Sequence, residues 1–157
     1  MRIAIEKAKE IYNQYGNDLF RISEAFDLTI IEEELKGRLK EVYFGDSIVI
    51  RKDLSEEEKR ELIAHALGHH LMHAGNHLSM QNRVYSFGNY HERQANVFAA
   101  YLLITTKELE NNLYPEIMPS DLAQKFEVTE KFIEFRLKLR SYFERAMENK
   151  NQLSYLS

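Results

Sequence analysis

The sequence predicts an α+β fold, mainly helical, with a small β-sheet and a C-terminal helical unit of helix-turn-helix-like layout. Two helical faces and one pair of short strands carry that expectation. Apolar positions follow a capping signal at Ser55 and Glu58. A second helical face runs through Ala95, Phe98, Ala99, Leu102 and Leu103, and β-branched and aromatic runs flank Gly45-Asp46.

Taken in order, Ile3, Ala4, Ala8, Ile11, Tyr12 and Tyr15 recur at helical spacing before Gly16, and Asp18 can cap a short second helix through Ile22, Ala25 and Phe26. Leu28 to Ile31 reads as a strand. Val42-Tyr43-Phe44 and Ser47-Ile48-Val49-Ile50 read as the arms of a hairpin. The box formed by Ser55 and Glu58 starts the main helix, expected over about 56–74. A loop is expected from Asn76 to Phe87. The next helix starts near Tyr90 and stops near Thr105 or Thr106. Then come a short helix over Asp121 to Phe126, a turn at Glu127-Val128, Thr129 as a cap, and a helix toward Met147.

With 157 residues, the chain fits one core. We expect a single domain over 1–157: a core over 1–110, a C-terminal helical subregion over 111–148 and a frayed tail over 149–157. No repeat or Pro/Gly/Ser linker interrupts it. The chain is 44% hydrophobic and 29% charged, an ordinary globular balance. It contains no cysteine, so a metal must be held by His, Asp or Glu, and a cytoplasmic location is expected. No signal-peptide or membrane-span pattern stands out. A net charge of −4 speaks against phosphate-backbone binding as the main role.

The chemistry centres on His65 and His69. Four residues apart on one helix, their rings stack on one face and can share a Zn²⁺ ion. A hydrolytic site needs a third protein ligand and an open position, and Glu92, at the edge of the next helix's apolar face, is the candidate. The bland alternative is a pair of surface histidines. His73 continues the same face and is the rival ligand, while His70 and His77 add to a His-rich stretch. Gly68 costs the helix about 1 kcal/mol relative to Ala, which close approach of another backbone or of a substrate would explain, with ordinary helix packing as the alternative. In the H-E-x-x-H signature the glutamate after the first histidine is the general base. Here that position is Ala66, which can neither accept nor donate a proton.

The stretch from His65 to His73, together with Glu92-Arg93-Gln94-Ala95-Asn96-Val97-Phe98-Ala99-Ala100-Tyr101-Leu102-Leu103, resembles the ImmA/IrrE family of metallopeptidases. The segments before them, Asp18 to Leu28 and Ile48 to Ser55, occur in that family's order. The resemblance implies a zincin-like core with His65, His69 and Glu92 as ligands of Zn²⁺, with Mn²⁺ as an alternative ion. It also implies an endopeptidase that cleaves a helix-turn-helix transcriptional repressor and so derepresses a mobile-element, defence or stress operon. Two departures stand out: Ala66 in place of the base, and Ile104-Thr105 where many members continue into Met-Pro. Ala66 is read as an introduced substitution that traps the peptidase, with a natural pseudopeptidase acting as a repressor-binding sensor as the alternative. Either way this chain is expected to be inactive or severely impaired.

Tyr90, His91 and Tyr101 are candidate donors to a transition state, with aromatic packing as the competing role. A substrate strand can be added at a sheet edge, around Val42 to Phe44 or Ile48 to Ile50. The C-terminal unit could also be read as a DNA-binding helix-turn-helix. From Asp121 onward, however, seven Lys/Arg face six Asp/Glu, so core packing and partner docking are expected instead, and neither direct DNA binding nor membrane association is.

Overall fold

The computed structural model describes residues 1–72 and 90–154. Two helices open the chain, α1 (Arg2–Tyr15) and α2 (Leu19–Ala25), followed by strands β1 (Thr29–Glu33), β2 (Glu41–Phe44) and β3 (Ser47–Arg51). Helices α3 (Glu56–Met72) and α4 (Tyr90–Leu103) come next, then α5 (Thr106–Glu110), α6 (Pro119–Phe126) and α7 (Glu130–Ser154). The mainly helical α+β class predicted above is the observed one. His73, His77 and the expected Asn76 to Phe87 loop lie outside the described residues.

Local chemistry accounts for most of the boundaries. The Asp18 carboxylate accepts from the Arg21 amide at 3.1 Å and starts α2. Ser55 Oγ accepts from the Glu58 amide at 3.2 Å while Glu58 reaches back to the Ser55 amide at 3.4 Å, so the expected box starts α3. Thr105 and Glu108 form a second box that stops the chain from extending α4 and begins α5. Thr129 caps α7 through the Phe132 amide at 3.2 Å. Helix α7 continues to Ser154, beyond the Met147 limit set by periodicity.

The sheet has the order β1-β3-β2, with β1 parallel to β3 and β2 antiparallel to it. Ile48 and Ile50 are fully buried on its inner face, while Ile31 and Val42 share the opposite face with Val49. The hairpin was legible in the sequence; the insertion of β3 between its neighbours was not. This order corrects one expectation. Ile48 to Ile50 is paired on both sides and cannot receive an added strand, whereas β2 pairs only with β3 among the described residues. Ile3 is also displaced from its expected role, standing exposed while Ala4, Ala8 and Ile11 are buried.

Helix α4 is the centre of the core, packed by α1, α3 and α7, and its stretch from Val97 to Leu103 is buried. The C-terminal unit joins this core through Arg136. Its side chain is fully buried, its Nε donates to the Ile104 carbonyl at 3.0 Å, and its guanidinium lies 3.9 Å from the centroid of the Tyr101 ring. Leu122, Val128 and Ile133 bury the turn between α6 and α7. The outer positions of α7, Lys131, Glu134 and Lys138, alternate in sign. Replacing Arg136→Ala leaves the Ile104 carbonyl without its buried charged donor and should cost about 2–3 kcal/mol, read as a lower denaturant midpoint at unchanged slope.

Candidate metal centre

Helix α3 presents His65 and His69 one turn apart, with ring centroids 4.6 Å apart and planes at 77°. Their Nε2 atoms approach to 3.0 Å. The next helix supplies the carboxylate. Glu92, in the first turn of α4, places Oε2 3.3 Å from His65 Nε2 and Oε1 3.3 Å from His69 Nε2. Thus three donor-bearing side chains from two helices converge within a span of 4.8 Å.

Convergence depends on how closely the helices approach, and Gly68 decides that. A Cβ placed on Gly68 would meet the Ala95 Cα at 3.0 Å, the Ala95 carbonyl oxygen at 3.1 Å and Phe98 Cδ1 at 3.1 Å. Of the explanations offered for this glycine, the close approach of another backbone, that of Ala95 in the packed helix α4, is the one observed. Gly68 adjoins His69, and Ala95 lies one turn from Glu92, so the tightest helix contact sits beside the three donors.

The electrostatics favour a cation. Burial alone would push the Glu92 carboxyl up, but hydrogen bonds from His65 and His69 and their charge outweigh it and hold the group far below the usual carboxylate range. Two Nε2 atoms at 3.0 Å suit either a shared proton or two lone pairs directed at one cation. Donors about 2.0–2.1 Å from a tetrahedral ion stand about 3.3 Å from one another, the scale of the separations seen here. The donor set therefore fits a small divalent ion without rearrangement of the helices.

The remaining candidates are placed elsewhere. Ala66 is buried beside His65, and its carbonyl accepts from the Tyr43 hydroxyl of β2 at 3.2 Å. No sequence signal singled out this link between β2 and α3. Tyr90 is half exposed, with its hydroxyl accepting from Gln94 Nε2 at 3.1 Å and its ring edge-on to His91, which is exposed. Tyr101 is nine positions beyond Glu92. That is roughly 13 Å along α4 on the opposite face, and its ring packs beneath Arg136. His70 turns away from the cluster, and its Nε2 meets the Phe26 carbonyl at 2.8 Å, tying α3 to the end of α2.

The arrangement of an H-x-x-x-H helix, a glutamate from the following helix and a small flanking sheet accompanies a sequence match over residues 23–138 to the family described as IrrE N-terminal-like domain. The chain belongs to this ImmA/IrrE peptidase family. It is also 30% identical over 161 residues to the Phage-like element PBSX protein XkdA of Bacillus subtilis (strain 168), an alignment covering 96% of this chain and 79% of that protein. By family the domain is a metallopeptidase. Among the described residues, no helix is long and apolar enough to cross a membrane.

Gly68→Ala adds helix propensity worth about 1 kcal/mol but forces a methyl against the Ala95 backbone, a strain of about 1–3 kcal/mol, so the net effect should be destabilising. Gly68→Val should be worse. Thermal unfolding of the metal-free variants measures both.

Proposed function

We propose that this domain holds Zn²⁺ through His65, His69 and Glu92, recognises a helix-turn-helix repressor as an extended segment, and lacks turnover because Ala66 occupies the position of the general base. The observation that carries this reading is the convergence of two imidazoles and a depressed-pKa carboxylate beside a residue with no ionisable group. When bound, a divalent ion at such a site supplies a Lewis acid that polarises a carbonyl and acidifies water. The chain's own residues do the rest. The two histidines and Glu92 fix the ion's position. β2, tied to α3 through Tyr43 and Ala66, offers backbone groups for an added strand beside the site. Position 66 determines whether a proton can be taken from water and delivered to the leaving amine.

A repressor substrate is the family's chemistry, and the phage-like element named for the relative supports a mobile-element setting. The site is formed without cysteine, which agrees with a reducing cytoplasm. The second reading, a natural pseudopeptidase that binds the repressor without cutting it, draws on the same alanine. Ala66→Glu separates the two. Restored cleavage of the cognate repressor, by a factor of about 10²–10⁴ and abolished by chelation, is the expected outcome. An inert but properly folded Ala66→Glu protein would favour the binding-only reading.

Metal analysis tests the ligand set itself. His65→Ala, His69→Ala and Glu92→Ala should each lose most bound zinc, whereas His73→Ala should retain it. Loading should also weaken as pH falls, because protons compete for the lone pairs of His65 and His69 while the Glu92 carboxylate stays ionised. Zinc affinity that does not change between neutral and mildly acidic pH would count against imidazole ligands.

A further inference from the structure

Beyond the metal centre, a cavity of about 440 Å³ opens where the α1–α2 turn, α3, the end of α4, α5 and the end of α6 meet. Its size falls within the range of small-molecule sites. Arg60 of α3 lines it, and the Arg60 Nε is buried without a hydrogen-bond partner. That nitrogen is shielded from a ligand in the cavity, but the terminal guanidinium nitrogens are not buried and make no hydrogen bond among the described residues, which leaves a planar fork suited to a carboxylate or phosphate.

The other lining groups complement such a head group. Glu108 faces the cavity, yet its carboxylate is committed: Oε2 accepts from the Thr105 amide at 3.1 Å and hydroxyl at 2.7 Å, and Oε1 from the Tyr12 hydroxyl at 2.9 Å. Asn112 uses one amide N–H on the Glu108 carbonyl at 2.7 Å and retains a second donor. Asn17 adds another amide and Lys125 a second cation, while the Phe126 ring and Leu103 supply apolar wall. Glu127, exposed at the rim, is the remaining carboxylate.

We propose that this cavity binds a small organic anion, with its phosphate or carboxylate head on Arg60 and Lys125 and an apolar or planar body against Phe126. Such a ligand bridges the C-terminal unit to the helix that carries His65, and occupancy stabilises that junction. The inference is independent of the metal centre and applies equally to metal-free protein.

The test is calorimetric titration of the full, metal-free chain with inorganic phosphate, AMP and phenylacetate at constant ionic strength. At least one organic probe should saturate a single site with Kd below about 1 mM, more tightly than inorganic phosphate. A preference for AMP assigns the phosphate head and a preference for phenylacetate the carboxylate. Arg60→Gln should weaken binding by roughly tenfold or more and Lys125→Gln by a few-fold, with Arg38→Gln as the unaffected control. Thermal unfolding checks that each variant folds, and Lys125→Gln decides the matter if Arg60→Gln does not. Absence of saturation with every probe, or folded Arg60→Gln and Lys125→Gln proteins that bind unchanged, would overturn the proposal.

Discussion

The close contact between Gly68 and Ala95 is the constraint on which the site depends. Glutamate has a short reach, and Glu92 meets both histidines at 3.3 Å only because α3 and α4 approach with no side chain between them at that point. Much of the architecture serves that approach. α1 packs on α4, Arg136 ties the end of α4 to α7, and the sheet packs on α3. A glycine that weakens its own helix is retained where the helix must come nearest its neighbour.

Parts of this were legible in the sequence because they rest on local rules. The Ser55 and Glu58 box, the Asp18 and Thr129 caps and the hairpin around Gly45-Asp46 depend on residues a few positions apart. The pairing of His65 with His69 follows from helical geometry alone. What periodicity could not supply was long-range: the insertion of β3 between β1 and β2, the Tyr43 to Ala66 link, and the burial of Arg136 against the Ile104 carbonyl just beyond α4. A buried arginine has no sequence signature, since its partners here include a backbone oxygen, the Thr106 hydroxyl and an aromatic face, all about 30 residues away in the chain. Tyr101 shows the reverse difficulty. Proximity to Glu92 in sequence made it a candidate, whereas helical phase places it on the far side of α4.

The chemistry separates into holding and turning over. Holding an ion requires lone pairs at suitable separations, and His65, His69 and Glu92 provide them without any contribution from position 66. Turnover requires a group that exchanges a proton with water, and a methyl side chain cannot. Under the proposed function, a domain with Ala66 keeps its three metal donors while lacking the side chain that would exchange a proton with water.

Diffraction at the zinc absorption edge from crystals grown with Zn²⁺ tests the central claim most directly. The account predicts one strong anomalous peak about 2.0–2.2 Å from His65 Nε2, His69 Nε2 and a Glu92 carboxylate oxygen. A zinc peak held by other side chains, with Glu92 turned away from the two histidines, would contradict it.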